Sequence, residues 1–238
     1  MPYRLFGFGL DWTYLLVLAG AVLCMLASAK VQSTFSKYAK VYSRTGMSGA
    51  EAARRLLDSQ GIYGVSIERV SGNLTDHYDP RSKVLRLSET VYGSTSVAAI
   101  GVAAHECGHA MQDAFGYLPL RLRSAFVPIA NFGSRFWIVP ILIGMFFGGS
   151  TGSFMLQLGI WVFALAVLFQ LITLPVEFNA SGRALRLLNE QGILYREEVR
   201  QTRNVLSAAA LTYVASAASA LLQLLRLIIL FGGRRNND

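Results

Sequence analysis

Four long apolar runs set the strongest limit on what this chain can fold into. They lie near residues 12–29, 126–148, 153–175 and 205–231. A helix of about 20 apolar residues crosses the roughly 30 Å hydrocarbon core of a bilayer, and each run is close to that length. Helices are expected there because backbone N–H and C=O groups in lipid have no water to bind, and a helix satisfies them with hydrogen bonds inside the segment. The sequence therefore predicts a mostly α integral membrane protein with about four transmembrane helices.

Positive charges are unevenly distributed along the chain, whose formal net charge is +8. Twelve Lys and Arg residues lie between residues 30 and 123 and five between 176 and 204, whereas the connection 148–153 has none. Positively charged loops stay in the cytoplasm. Both long polar segments are therefore predicted to be cytoplasmic, with the N-terminus and the 148–153 turn outside. The charge pattern indicates topology and not nucleic acid binding, although Arg234 and Arg235 would then lie outside, against the trend.

An alternative topology starts from "LASAK" at residues 26–30, which resembles a signal-peptide cleavage site after an apolar stretch. Cleavage there would give a mature chain starting at Lys30 and would place the next, basic segment outside. This alternative runs against the charge bias, so the four-helix topology is favoured. Arg135 and Arg226 lie inside apolar runs, and we expect both to extend their charged ends towards the membrane surface.

The first long polar segment is predicted to form a small α+β domain. In "SGAEAARRLLDSQG", Ser48 and Glu51 fit a capping box and Gly61 fits a helix stop, so a short helix is expected. Alternating apolar residues and intervening turn residues then predict a sheet of three strands, at residues 65–70, 74–79 and 83–88.

A helix rich in small residues follows the predicted sheet. Its sequence is "VAAIGVAAHECGHAMQDAF", and either Ser94 or Ser96 can cap its first turn. Alanine and glycine let neighbouring helices approach closely, so this helix is expected to be buried. Cys24 and Cys107 form no C-x-x-C pair and are interpreted as small buried side chains.

This helix carries an H-E-x-x-H pattern, which uses two of the three histidines in the chain. His105 and His109 are four residues apart and lie on one helical face, where both imidazoles can reach one metal ion. Glu106 lies at the edge of the same face, as a general base for a zinc-activated water would. Histidines that are merely hydrogen-bonded in a helical core are the alternative. It is disfavoured because two imidazoles and a carboxylate would form a costly buried polar cluster.

A catalytic zinc site needs a third protein ligand. His77, the remaining histidine, is one candidate by residue type. The other is Glu177 in "LPVEFNASGRALRLL", where the third apolar run gives way to an amphipathic helix. Two predicted spans separate His109 from Glu177, and an even number of crossings returns the chain to the same side of the membrane. Glu177 is therefore compatible with the predicted topology.

Two stretches of the chain resemble a known family. "TDHYDPRSKVLRLSETVYGSTSVAAIGVAAHECGHAMQ", followed by paired apolar runs and "PVEFNASGRAL", is similar to the YugP-type neutral zinc metallopeptidases, which are multi-span bacterial membrane proteins. The resemblance implies a gluzincin-like endopeptidase with one zinc ion, His105, His109 and Glu177 as ligands and Glu106 as the base. It also implies a bacterial membrane protein, and the charge pattern predicts that the site lies on the cytoplasmic side of the plasma membrane.

The chain departs from its more distant relatives at one position. HtpX-type and CAAX-prenyl membrane proteases, which it resembles in plan, carry E-F-x-A-D where this chain reads "EFNAS". Glu177 matches the ligand of that pattern, and Ser181 replaces an aspartate that would orient a ligand histidine. Serine can still form a hydrogen bond but carries no charge.

Substrate-binding groups are less sharply defined by the sequence. The candidates for stabilising an oxyanion are His77, Tyr78, Tyr92 and Arg183, although Arg183 is also a candidate partner for Glu106. "KVLRLS" is predicted to be an edge strand. It is either open to an added peptide strand or covered by other parts of the protein.

These observations predict five segments. They are a transmembrane anchor at 1–29, a cytoplasmic metalloprotease segment at 30–125, a transmembrane hairpin at 126–175, a cytoplasmic helix with the third ligand at 176–204, and a C-terminal transmembrane helix and tail at 205–238. The expected partners are the lipid bilayer, a peptide or protein substrate and a further copy or another membrane protein, with no nucleic acid. A scaffold with structural zinc and a hydrolase of non-peptide acyl bonds remain open alternatives.

Overall fold

The protein is described by a computed structural model that covers residues 11–232. Three strands are present in this range, β1 (Ser66–Val70), β2 (His77–Asp79) and β3 (Val84–Ser88). Helices make up most of the rest: α1 (Tyr14–Tyr38), α2 (Gly49–Ser59), α3 (Glu89–Tyr92), α4 (Val97–Ala114), α5 (Leu118–Phe136), α6 (Ile138–Phe146), α7 (Gly149–Glu190) and α8 (Arg196–Phe231).

Four helical segments are long and apolar enough to cross a membrane, as the apolar runs predict. They are α1, the α5–α6 pair, α7 and α8. Only 11–22% of the residues in their most apolar stretches are buried, and Leu26 and Trp161 are 63% and 71% exposed. Large exposed apolar side chains are costly in water and suit lipid. The described chain is therefore mostly helical, with a small sheet and four helical segments whose length and exposed apolar surface suit a membrane.

The helices extend beyond the apolar runs that predict them. The second segment begins at Leu118 and is divided at Trp137 into α5 and α6, which contain Pro128 and Pro140. Proline removes a backbone donor and disturbs a helix. Helix α7 has 42 residues and α8 has 36, more than a bilayer crossing requires.

The described chain divides into two compact units. The first contains the residues up to Leu26, Leu122–Thr173 and the residues from Thr212 onwards. Within it, α1 and α8 approach closely, because a Cβ at Gly20 would lie 2.5 Å from Ser219 Oγ. Small residues allow this type of helix packing in membranes.

Arg226 on α8 has specific partners inside the first unit. Its Nε donates to Thr13 Oγ1 at 3.1 Å, its Nη2 lies 4.0 Å from Asp11 Oδ2, and its guanidinium lies 4.2 Å from the centre of the Tyr14 ring. These partners lie at the start of α1, and the expected extension of Arg226 to the membrane surface stays a prediction. A charge in an apolar stretch is stabilised here by an ion pair and a hydrogen bond.

The second unit contains Ala27–Arg121 and Leu174–Leu211, and its sheet has the order β1-β3-β2. Strand β1 pairs with β3 in parallel and β2 pairs with β3 antiparallel. The prediction that "KVLRLS" forms an edge strand is wrong, because β3 is central and four of its five residues are buried. The second strand is shorter than predicted, because Leu74 has a left-handed φ of 55° and the strand begins at His77.

The core of the second unit lies between α2, α4 and the sheet, with Leu56, Leu57, Leu85 and Ile100 fully buried. The capping box of α2 is confirmed, since Ser48 and Glu51 exchange hydrogen bonds of 2.8 and 3.3 Å. Ser96, one of the two candidates, caps α4 by accepting from Ala99 N at 3.2 Å.

Two glycines of α4 bring α7 and α8 against it. A Cβ at Gly108 would lie 2.5 Å from the Ala180 carbonyl oxygen of α7, and one at Gly101 would lie 2.5 Å from Thr202 Cγ2 of α8. The small residues in the sequence of α4 thus serve close packing, as expected. This packing places the later segment of the chain beside the histidines.

Candidate metal centre

The candidate site forms between one face of α4 and one face of α7. His105 and His109 lie one turn apart on α4, and Glu177 faces them from α7. His109 and Glu177 are buried, at 8% and 2% exposure, and His105 is partly buried. Among the described residues, these three side chains form the group that could hold a metal ion.

The ligand atoms of this group form a compact triangle. His105 Nε2 lies 3.2 Å from His109 Nε2 and 3.2 Å from Glu177 Oε2, and His109 Nε2 lies 3.6 Å from Glu177 Oε2. Zinc bonds nitrogen and oxygen at about 2.0–2.1 Å, so the ligand atoms of a tetrahedral site are about 3.3 Å apart. The donor types and their separations therefore fit one zinc ion.

A hydrogen-bond chain sets the tautomer of His109. Gln112 Nε2 donates to the Val176 carbonyl at 2.8 Å and to Asn179 Oδ1 at 3.0 Å, so its Oε1 faces His109 Nδ1 at 3.0 Å. An amide oxygen can only accept, so the imidazole carries its proton on Nδ1. The lone pair of His109 Nε2 is then directed towards His105 and Glu177, as a metal ligand requires.

His105 has a different kind of partner. Its Nδ1 lies 3.0 Å from Ser181 Oγ on α7. Ser181 thus occupies the orienting position that the comparison with E-F-x-A-D predicts. A hydroxyl can donate or accept, so it positions the ring without dictating which nitrogen carries the proton. The orientation of His105 is set, and its tautomer is less strictly set than that of His109.

Glu106 lies beside the triangle and is bound to the sheet. Its Oε2 accepts a hydrogen bond from Tyr78 N in β2 at 3.0 Å. Burial raises the pKa of Glu106 above its ordinary value, and the nearby charge of Glu177 acts in the same direction. A carboxylate with a raised pKa is a better proton acceptor at neutral pH.

Tyr78 is held by a second contact at the end of α4. Its hydroxyl donates to Asp113 Oδ2 at 2.6 Å, and Lys83 Nζ lies 2.5 Å from the same oxygen. Burial and the Asp113 carboxylate raise the pKa of the Tyr78 phenol, which therefore remains a donor. Strand β2 is thus attached to α4 at both Glu106 and Asp113.

Comparison with known proteins agrees with this geometry. A family model described as "Putative neutral zinc metallopeptidase" matches residues 13–232. The chain belongs to this neutral zinc metallopeptidase family. It is 48% identical over 225 residues to "Putative membrane protease YugP" of Bacillus subtilis (strain 168), covering 93% of this chain and 98% of that protein. No solved structure matches.

For a member of the neutral zinc metallopeptidase family, zinc is the metal that the name implies, and the three donor groups suit it. His77, the alternative third ligand, is outside the group. Its ring is exposed on β2, and its Nδ1 lies 2.8 Å from the Thr75 carbonyl oxygen. The geometry thus brings Glu177, and not His77, to the two histidines of α4.

The other predicted site residues have separate contacts in this family member. Arg183 Nε donates to Asn179 Oδ1 at 2.8 Å, and its guanidinium lies 5.9 Å from the centre of the Tyr117 ring, so these neighbours replace the expected contact with Glu106. Tyr92 packs against the core from the end of α3. Cys107 is fully buried and burial raises its pKa, which suits the expected inert side chain.

Sequence reasoning missed Gln112, Asn179 and Asp113. Gln112 is three residues after His109 and seven after His105 on one helical face, so the spacing in "HECGHAMQ" is a signal that could have identified it. Asp113 reaches Tyr78 across 35 positions of the chain, and no local pattern indicates that contact.

Proposed function

We propose that this chain is a zinc-dependent membrane metalloendopeptidase. One zinc ion is held by His105, His109 and Glu177, and Glu106 is the general base. The observation that carries the proposal is the triangle of three ligand atoms, which lie 3.2–3.6 Å apart. The buried carboxylate of Glu106 lies beside it, on the helix that carries the two histidines. Membership of a zinc metallopeptidase family supports the same chemistry.

The residues of the chain have distinct parts in the proposed hydrolysis. Zinc held by this donor set would make water easier to deprotonate at neutral pH and would polarise a carbonyl group. Glu106 accepts the proton of the attacking water and delivers it to the leaving amine nitrogen. Because Tyr78 N–H occupies Oε2 of Glu106, the other carboxylate oxygen is the one that carries the proton. Gln112 and Ser181 keep the two imidazoles in position throughout.

The proposed location is the cytoplasmic side of a bacterial plasma membrane. The twelve basic residues between 30 and 123 and the five between 176 and 204 support this orientation for both segments that supply ligands. The similarity to a protein named as a membrane protease of Bacillus subtilis supports the bacterial membrane. A substrate that is itself membrane-associated fits this location, and further copies of the chain remain an expected partner.

Metal analysis of the purified full chain is the first test. Wild-type protein is expected to contain one zinc per chain, and His105→Ala and Glu177→Ala are expected to lose it. His77→Ala is the matched control, because its exposed ring lies outside the ligand group, and it should retain zinc. Zinc-free wild-type protein, or zinc retained in Glu177→Ala, would refute the ligand assignment.

Hydrolysis of unfolded casein tests the reaction class. Glu106→Gln is expected to keep zinc and to lose cleavage, since an amide cannot accept the proton of water. Cleavage by the wild type alone would disfavour both a scaffold with structural zinc and a hydrolase of non-peptide acyl bonds. Undiminished cleavage by Glu106→Gln would remove Glu106 from the role of base.

A further inference from the structure

A groove of about 490 Å³ lies between α1 and α8 in the second unit, apart from the metal centre. Its α1 side presents Lys30, Thr34 and Lys37, and its α8 side presents Asn204, Ser207 and Leu211. This volume falls within the range of small-molecule binding sites, which is about 300–1,000 Å³. The groove is thus large enough for the polar head of a lipid.

The lining residues form two facing stripes. Positions 30, 34 and 37 share one face of α1, and positions 204, 207 and 211 share one face of α8. Asn204 Nδ2 donates to the hydroxyl of Tyr38 at 2.9 Å and joins the two helices at one end of the groove. The groove is therefore built by two helices that are fixed to each other.

The chemistry of the groove suits an anion. Lys30 and Lys37 are exposed, and among residues 11–232 neither forms a salt bridge with a carboxylate. Thr34 and Ser207 add hydroxyl donors to the lining of the groove, and no acidic residue lines it. Two cations and two hydroxyls around one cavity match the charge and hydrogen-bonding needs of a phosphate group.

The position of the groove along the chain distinguishes a lipid phosphate from a free one. Lys30 directly follows the apolar run 12–29, and Leu211 lies within the apolar run 205–231. The groove thus combines cations with an apolar end at the point where two apolar helices become polar. Basic pockets between transmembrane helices bind anionic lipid head groups on the cytoplasmic side.

We propose that this groove binds the phosphate head group of an anionic phospholipid. The proposal stands on the groove alone, so its test does not depend on the proposed peptidase activity. The full chain is placed in phosphatidylcholine bilayers that contain spin-labelled phosphatidylglycerol. The association of the labelled lipid with the protein, relative to spin-labelled phosphatidylcholine, is then measured by electron paramagnetic resonance.

Substitutions in the groove should reduce the preference for phosphatidylglycerol. Lys30→Gln and Lys37→Gln are each expected to lower it by up to about fivefold, the effect of one basic residue near an anionic surface. Lys40→Gln is the matched control, because Lys40 is also exposed and close in sequence but does not line the groove. An equal loss in Lys40→Gln would mean diffuse charge attraction and would overturn the proposal.

Two further measurements separate a built site from general attraction. The double variant Thr34→Val with Ser207→Ala keeps the charge and removes the hydroxyls, and it should also lower the preference. If the double variant kept the wild-type preference for phosphatidylglycerol over phosphatidylcholine, the proposal would be overturned. Release of the labelled lipid by millimolar inorganic phosphate would assign the groove to free phosphate and would equally overturn the lipid assignment.

Discussion

At the scale of single residues, the two candidate ligand histidines are oriented by unlike partners. The oxygen of Gln112 fixes the proton of His109 on Nδ1, whereas the Ser181 hydroxyl can take either role towards His105. Groups that orient a metal ligand typically change metal affinity by 10- to 100-fold when they are removed. The two contacts should therefore differ in their effect on zinc affinity.

We predict that Gln112→Met weakens zinc binding by about 10- to 100-fold and that Ser181→Ala weakens it less. Methionine is similar in size to glutamine, but its thioether sulfur is only a weak acceptor and cannot replace the amide oxygen that sets the tautomer. Zinc affinity is measured by competition with a chromophoric chelator. Gln191→Met serves as the control, because Gln191 follows α7 and lies outside the ligand group. A larger effect of Ser181→Ala would contradict the tautomer argument.

The contact between Tyr78 and Asp113 holds the backbone donor of Glu106 in place. We predict that Tyr78→Phe lowers kcat by up to about tenfold and leaves zinc content unchanged, because one hydrogen bond of about 1 kcal/mol is lost outside the ligand group. A weaker Tyr78 N–H bond stabilises the Glu106 carboxylate less, so the pKa of Glu106 rises further. The acidic limb of the pH–rate profile should then move to higher pH.

Tyr63→Phe is the matched control for that experiment. Tyr63 is 75% exposed, so removal of its hydroxyl should leave both kcat and the pH profile unchanged. An acidic limb that moves to lower pH in Tyr78→Phe would show that the Tyr78 contact does not act through Glu106.

The chemistry-bearing residues of α4 could be predicted because their spacing is local. His105, Glu106 and His109 lie within five positions, so the helix period alone places them together. Glu177 is 68 positions after His109, so the helix period cannot place it. Its prediction rests on two membrane spans that return the chain to the same side. The contacts of Tyr78 with Glu106 and Asp113 depend on the path of β2, and neither period nor composition determines that path.

At the scale of helices and strands, Gly108 sets the distance between α4 and α7. A Cβ there would lie 2.5 Å from the carbonyl oxygen of Ala180 and 2.9 Å from the Cα of Ala180. These are backbone atoms, which cannot move away by a side-chain rotation. We predict that Gly108→Ala destabilises the fold by about 1–3 kcal/mol, as overpacking does. Zinc affinity should fall as well, because Glu177 is three residues before Ala180 on the displaced helix.

Gly182→Ala is the control for this prediction. Gly182 also lies on α7, but a Cβ there meets nothing within 4 Å. Alanine is favoured over glycine in a helix by up to about 1 kcal/mol, so this variant should be neutral or stabilising. Thermal unfolding and zinc titration of both variants provide the measurement. Normal zinc affinity in Gly108→Ala would show that α7 can shift without moving its ligand.

The existence of the helices and strands could be predicted better than their arrangement. Apolar runs predicted the four long helices, and alternation predicted the three strands. Alternation in "KVLRLS" does not reveal how many neighbours a strand has, so it cannot distinguish the predicted edge position from the central position that β3 occupies. Its position follows from burial of Val84, Leu85 and Leu87 against α4 and the neighbouring strands, which is a tertiary effect.

At the scale of the whole molecule, the topology and the metal centre depend on each other. The candidate ligands come from two segments that two predicted membrane spans separate in the sequence, so both segments must face the same side. The alternative of a chain cleaved before Lys30 places the first segment outside. Labelling with a membrane-impermeant maleimide in intact bacterial cells distinguishes these topologies.

We predict that, in a background where Cys24 and Cys107 are replaced by alanine, Thr151→Cys is labelled in intact cells. Asn73→Cys and Asn189→Cys should be labelled only after the membrane is permeabilised, because their segments carry the positive charges that stay inside. All three positions are exposed, so a difference in labelling reports the side of the membrane and not burial.

Each pattern of labelling has a separate meaning for the site. Labelling of Asn73→Cys and Asn189→Cys together, without Thr151→Cys, would show that the chain has the opposite orientation. The metal centre could still form, because both segments would lie on one side of the membrane. Labelling of only one of the two asparagine positions would place His109 and Glu177 on opposite sides. The ligand atoms, 3.6 Å apart in the structure, could then not converge in the membrane. The same experiment therefore tests both the orientation of the chain and the assembly of its metal centre.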